Sequence, residues 1–205
     1  RSHGCSTGVV TVASHPDTLV RGNTPHLINS PRDREWLLRE KYHVEILVTL
    51  PFDEAMRSMP WEQFLDMLRR HYDAAGFVCG EDFRFGKGAE CGVNELDKLC
   101  GKYGIELCVV PKVTEESGKR ISSTMIRELV RNGGIETANR LLGTPFTLKL
   151  PVSHGKKLGR TLDFPTLNQY LSETQVAPKY GVYASKTEVH GKIYKSITNI
   201  GVKPT

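Results

Sequence analysis

Three stretches of this 205-residue chain combine residue types that could hold a phosphate or a flat ring. The first is Arg120-Ile121-Ser122-Ser123-Thr124-Met125-Ile126-Arg127. Three hydroxyl residues open what reads as a helix after a strand and a loop. A helix N-terminus offers unpaired N–H groups and the positive end of a dipole, which suits phosphate oxygens. Arg127 follows Ser123 by four residues, so both project from one helical face and could clamp the same phosphate. A plain Ser/Thr N-cap followed by a solvated arginine would use the same residues. Both readings stand on this stretch alone.

The second stretch is Gly80-Glu81-Asp82-Phe83-Arg84-Phe85-Gly86, directly after an apolar run. Two aromatics between glycines at the carboxyl edge of a sheet could stack on a flat ring. Equally, the phenylalanines could pin a glycine-bounded loop into the core. The third is Gly155-Lys156-Lys157-Leu158-Gly159-Arg160, followed by Phe164-Pro165-Thr166-Leu167-Asn168. Glycines and cations in one turn favour a polyphosphate, with Gly155, Lys156, Gly159 and Arg160 as candidate contacts. Thr166 and Asn168 lie two residues apart and share one face of a strand. Their neutral oxygens suit Mg²⁺, which prefers oxygen and keeps its waters and substrate phosphates. A basic β-turn is the bland alternative, and the spacing is not that of a Walker motif. His15, before Pro16, reads as structural. No Ser-His-Asp or Cys-His constellation and no carboxylate pair for glycoside hydrolysis stands out.

Around these stretches the texture of the sequence changes along the chain. Val9–Ala13, Glu45–Leu50, Phe77–Cys79 and Ile105–Val110 are continuous apolar strands. Between them lie helical segments: one capped by Ser30-Pro31, one carrying Trp61, Phe64, Leu65, Leu68 and Tyr72, and one ended by Gly104. Apolar strands separated by helices imply parallel pairing, since parallel neighbours need crossovers. The expectation is a doubly wound parallel sheet, Rossmann-like, with ligands beyond the carboxyl ends of its strands. Helical segments at Thr124–Asn132 and Ile135–Leu142 close this part. From Thr144 onward, β-rich runs at Phe146–Val152, Gly181–Thr187 and Lys192–Ile200 alternate with turns, which reads as a partial antiparallel β-barrel. The expected domains are therefore residues 1–143 and 144–205.

Charge divides the chain the same way. Residues 1–145 hold 19 basic and 20 acidic residues, net −1, against 9 and 3, net +6, in residues 146–205. A basic half could serve phosphorylated small ligands or nucleic acid. The second ranks last, because the cations sit in one glycine turn or are scattered. A mean hydropathy of −0.34 excludes a membrane-embedded chain. Five cysteines without a CxxC pair or a secretory signal point to reduced thiols in a cytoplasm, with Cys79, Cys100 and Cys108 as core filler. There is no initiator Met, and the chain stops at Asn199–Thr205 in what reads as a strand and turn. It is read as part of a longer protein.

Seven ordered signals give the chain a resemblance to a known family. They are GEDFRFG at Gly80–Gly86, ISSTMIR at Ile121–Arg127, LLG at Leu141–Gly143, the basic turn at Gly155–Arg160, FPTLN at Phe164–Asn168, GVYA at Gly181–Ala184 and NIGVKPT at Asn199–Thr205. Together they resemble the bacterial bifunctional riboflavin kinase/FMN adenylyltransferases, also called FAD synthetases. The resemblance implies an N-terminal nucleotidylyltransferase domain joining FMN and ATP to give FAD and pyrophosphate. It also implies a C-terminal β-barrel kinase making FMN from riboflavin and ATP. Ser122, Ser123, Thr124 and Arg127 would then hold ATP phosphates, with Arg127 the clamp during adenylyl transfer. Asp82, Phe83 and Phe85 would line the flavin site. Thr166 and Asn168 would bind Mg²⁺ and ATP phosphates, with Gly155–Arg160 beside them. Small-molecule substrates are the expected partners, with no nucleic acid and no membrane.

The departures from the family pattern are specific. The two-His nucleotide signature is not present in these residues, and Ser2-His3-Gly4 does not supply it. Val12-Ala13-Ser14 stands where the family has an aromatic–Asp–Pro. Asp163 replaces a Gly, Leu167 replaces an Ala, and the kinase's catalytic Glu falls beyond Thr205. Two alternatives follow: one activity alone is retained, or the protein is a non-catalytic flavin- or nucleotide-binding regulator.

Overall fold

The computed structural model describes residues 4–22, 25–153 and 166–202. They form two compact units, Arg1–Pro25 with Arg34–Arg120 and His26–Asp33 with Ile121–Thr205.

In the first unit, β1 (Gly8–Val12) pairs in parallel with β2 (Ile46–Leu50), Gly8 opposite Ile46 and Val12 opposite Leu50. Between them run α1 (Pro16–Val20), α2 (Pro31–Trp36), which begins in the segment assigned to the second unit, and a π-helical turn at Leu37–Lys41. His15 caps α1, its Nδ1 accepting the Asp17 N–H at 3.2 Å. Ser30 caps α2 reciprocally with Asp33, at 3.1 and 3.0 Å.

Two further helices, α3 (Glu54–Ser58) and α4 (Trp61–Tyr72), lead to β3 (Gly76–Gly80). β3 pairs in parallel with β4 (Glu106–Val110) across the crossover helix α5 (Val93–Tyr103). Gly104 ends α5 in the left-handed conformation, φ 65°, as the sequence suggested. Leu65 of α4 packs with Phe85, Cys91, Leu96 and Cys100 into one core, covered by Trp61, Phe64, Phe77 and Leu107. Each fully buried Leu of this kind contributes roughly 1.5–3 kcal/mol.

The expected parallel strands and helical crossovers are present. Among the described residues they make two two-stranded parallel sheets, not one continuous doubly wound sheet. The helices of β3–β4 cover only the face bearing Phe77, Cys79 and Leu107. The other face stays open, with Val78 72% exposed.

That geometry corrects one cysteine. Cys108 pairs with Val78 and shares its open face, so it is exposed, whereas Cys91, in a loop, is buried. Burial pushes the thiols of Cys79, Cys91 and Cys100 upward. A thiol-specific reagent at neutral pH is therefore expected to modify Cys5 and Cys108 first. Cys91 and Cys100 should react only on unfolding, which peptide mapping after timed labelling would check.

In the second unit, α6 (Ser123–Arg131) and α7 (Ile135–Leu142) form a helical hairpin. Ile126, Val130 and Ala138 pack around Val176, which is 0% exposed. The Asn139 side chain accepts the Phe146 N–H at 2.6 Å, fixing the exit from α7. β5 (Gly181–Val189) and β6 (Lys192–Ile200) form a nine-rung antiparallel hairpin. Its two-residue turn has positive φ at both His190 and Gly191, 50° and 75°, as a twisted hairpin requires. One face carries a hydroxyl row, Ser185 bonding Ser196 at 2.9 Å and Thr198 at 2.7 Å, and Thr187 bonding Ser196 at 2.6 Å. The run Phe146–Val152, expected as β-rich, forms no strand among the described residues. Beyond it a single antiparallel bridge joins Ser153 to Asn168.

Candidate active site

The N-terminus of α6 is built by Ser122. Its backbone is extended, φ −139° and ψ 156°, and its Oγ accepts the Met125 N–H at 3.3 Å. The N-cap reading of this serine is thus realised, and its hydroxyl proton is still able to donate. Ser123 and Thr124 occupy the first two helical positions and are exposed. Their N–H groups precede the first intrahelical bond, Ile126 N–H to Ser122 C=O at 3.1 Å.

Arg127 is not a freely solvated arginine. Its Nε donates to the His26 carbonyl at 2.7 Å, which fixes the plane of the guanidinium and leaves its two terminal nitrogens for another acceptor. Arg131, one turn on, meets His26 Nδ1 through Nη2 at 3.1 Å. Arginine can only donate, so that ring nitrogen is the acceptor. His26 was missed in the sequence. It lies 101 residues from Arg127, and no periodicity or motif links the two.

In the loop after β3, Phe85 is 7% exposed and belongs to the core. Its ring packs edge-on to Trp61 at 6.3 Å and parallel to Phe83 at 5.3 Å, 18° apart. Phe83 is only half-buried and lies against the same cluster. The core-pinning alternative therefore describes Phe85, and Phe83 is the ring with accessible surface. Asp82 forms an ion pair with Arg120, and Lys112 meets Glu81 at 3.1 Å. Arg120 headed the first motif without a role. Its signal would have been an unpaired acid in the preceding loop.

Thr166 and Asn168 are exposed. The Asn168 carbonyl accepts the Ser153 N–H at 2.8 Å, so its backbone is engaged there. Gly155, Lys156, Gly159 and Arg160 lie outside the described residues. Ser122, Ser123, Thr124 and Arg127 share one helix end, and Asp82, Phe83 and Phe85 share one loop. The two groups belong to different compact units.

The Arg120 guanidinium holds the Asp82 carboxyl below its ordinary value of 3.8. Arg69 and Arg70 do the same for Asp66 on α4, and the Gly92 N–H does so for Glu95 at the start of α5. A carboxyl lowered on folding stabilises above its unfolded pKa, and that contribution is lost as pH falls through the folded value. The first unit is thus expected to lose thermal stability progressively as pH falls through and below the ordinary carboxyl range of about 4. Melting curves across that range should flatten in an Asp66→Asn, Asp82→Asn variant. An unchanged slope would contradict these assignments.

Comparison with known proteins gives a consistent pattern. The family model described as FAD synthetase matches residues 1–125, and that described as riboflavin kinase matches residues 142–205. The chain is 38% identical over 204 residues to a bifunctional riboflavin kinase/FMN adenylyltransferase of Bacillus subtilis, covering 98% of this chain and 64% of that protein. It is 34% identical to the protein of the same name from Listeria monocytogenes, again over 98% and 64%. The Escherichia coli protein of that name is 36% identical over 82% of this chain and 56% of its own length. The chain thus spans less than two thirds of these relatives. A solved structure from Streptococcus pneumoniae, described as a macrolide-efflux protein, superposes with a TM-score of 0.82 at 29% identity, over 100% of this chain and 66% of that one. Among the described residues, no helix of this chain is long and apolar enough to cross a membrane.

Proposed function

The chain belongs to the FAD synthetase family, and on that footing we propose that its protein makes FAD from riboflavin in two ATP-dependent steps. Riboflavin is phosphorylated to FMN, and FMN is then adenylylated. The two-part match, adenylyl-transferring family first and riboflavin kinase second, supports assigning both steps. We place the functional boundary at residues 1–143 and 144–205. β5–β6 would belong to a barrel. The reduced thiols of Cys79, Cys91, Cys100 and Cys108 agree with a cytoplasmic setting.

In adenylyl transfer, an oxygen of the FMN phosphate attacks the α-phosphorus of ATP. The bond to the β-phosphate oxygen breaks, and pyrophosphate leaves. Proteins contribute chiefly position and charge neutralisation to such a step. The observation that carries the reading is the α6 N-terminus with its oriented arginine. Ser123 and Thr124 offer N–H groups and hydroxyls to phosphate oxygens, the Ser122 hydroxyl donates from the cap, and the Arg127 fork takes a non-bridging oxygen. Phe83 offers its accessible ring to the flavin, backed by Phe85, and Asp82 stands at the same loop with its charge balanced by Arg120.

The kinase step requires in addition a base for the riboflavin hydroxyl proton. Thr166 and Asn168 fit Mg²⁺ in donor type, being neutral oxygens on exposed positions. Bound there, Mg²⁺ would neutralise phosphate charge. Gly155, Lys156, Gly159 and Arg160 would contact the ATP phosphates.

Incubation of the complete gene product with FMN, ATP and Mg²⁺ should yield FAD and pyrophosphate in equal amounts. Tight flavin binding without FAD would replace this reading with that of a regulator.

A further inference from the structure

The peptide group joining His26 to Leu27 is held at both ends. Its carbonyl accepts Arg127 Nε at 2.7 Å, and its N–H donates to the Thr174 carbonyl, also at 2.7 Å. A peptide group is planar, so the direction of one bond sets the direction of the other. The Leu27 carbonyl in turn accepts the Val176 N–H at 2.9 Å, giving a parallel bridge between Leu27 and Gln175. Val176 is fully buried beside Ile126 and Val130 of α6 itself.

The strap Thr174–Val176 is anchored from its side chain as well. Gln175, 4% exposed, donates Nε2 to Asp33 Oδ2 at 2.9 Å. Asp33, 2% exposed, also accepts the Ser30 N–H at 3.0 Å and the Lys149 N–H at 2.9 Å. Asp33 lies at the end of His26–Asp33, the segment that joins the second unit from far upstream in the chain. A buried carboxylate with three N–H donors fixes what it touches, because losing any partner leaves a buried polar group unsatisfied.

We propose that Gln175 is a positioning residue for Arg127 in adenylyl transfer. It lies in the part of the chain that matches the riboflavin kinase family. It holds the strap, the strap holds the His26–Leu27 peptide, and the peptide holds the guanidinium. An arginine oriented beforehand loses less rotamer freedom when it meets a phosphate. The inference rests on the role of Arg127 proposed above. It adds that the kinase-side sequence acts on the other reaction, without contact with its substrates.

The test is a double-mutant cycle between Gln175→Met, which keeps length and removes the donor, and Arg127→Ala. For Gln175→Met alone, the ATP KM for FMN adenylylation should rise about tenfold, with riboflavin phosphorylation within about twofold. On the Arg127→Ala background, the same change should have no further effect on adenylylation. Ser172→Ala loosens the turn beneath Thr174, where Ser172 Oγ meets the Thr174 N–H at 3.3 Å. Its site is exposed, and it should shift the ATP KM in the same direction by a smaller factor even if Gln175→Met folds poorly. Equal losses with and without Arg127, or loss of both activities together, would reduce Gln175 to a packing residue. Calorimetric ATP binding to the same four proteins separates the two claims. If the unsubstituted protein forms no FAD, the functional reading fails, while an Arg127-dependent loss of ATP affinity in Gln175→Met would still uphold the positioning. Absence of any such loss would overturn it.

Discussion

Arg127→Ala is expected to slow FAD formation from FMN by about 10²- to 10³-fold, the usual cost of removing one oriented donor from a developing oxyanion. Riboflavin phosphorylation in the same protein should stay within about twofold, because Thr166 and Asn168, not α6, are assigned to that step. Arg127 is half-buried, and the bond from its Nε to the His26 carbonyl orients the fork without spending its terminal nitrogens. Arg127→Lys keeps the charge but has neither the fork nor the Nε bond, so it should recover only a small part of the rate. The readouts are kcat and KM for ATP with FMN as acceptor, alongside the kinase rate. A substitution that lowered both activities equally, with a lower melting temperature, would show that Arg127 serves folding and not transfer.

Gly86→Ala should be the most damaging of the small changes in the loop after β3. Gly86 has φ 78° and ψ 178°, a backbone region open to little but glycine. A Cβ placed there would lie 2.7 Å from Trp61 Cβ, 3.2 Å from Trp61 Cα and 3.3 Å from Trp61 N. Those backbone atoms open α4, the helix whose Leu65 and Leu68 are buried, so they cannot retreat cheaply. Strain and overpacking together are expected to cost about 3 kcal/mol or more, lowering the melting temperature by roughly 10 °C. Gly88→Ala is the control. Gly88 also has positive φ, 65°, but a Cβ there meets nothing within 4 Å, so only the left-handed penalty of about 1–2 kcal/mol applies. Similar losses in the two variants would contradict the close approach of loop and helix.

The same loop shows how far a sequence can be read. Apolar continuity and helical spacing identified the strands and crossovers, because parallel strands with one covered face still need large apolar residues. Spacing could not tell which face each ladder would cover. That is why Cys108, inside an apolar run, proves exposed, while Cys91 is buried in a loop. The pairing of strands into separate ladders depends on contacts between elements, which period alone does not encode. Of the site, the hydroxyl helix start and Arg127 were legible as local chemistry. His26 was not, nor was the strap Thr174–Val176, since backbone carbonyls carry no sequence signature. Phe83 and Phe85 looked equivalent in GEDFRFG. The core distinguishes them by stacking Phe85 among Trp61, Phe64 and Phe83.

One protein is proposed to carry riboflavin through FMN to FAD. The complete gene product, given riboflavin, ATP and Mg²⁺, would be sampled over time and its flavins separated by chromatography. FMN should rise first and then decline as FAD accumulates. FMN that accumulates without FAD, FAD formed only from added FMN, or bound riboflavin with no product would contradict the claim.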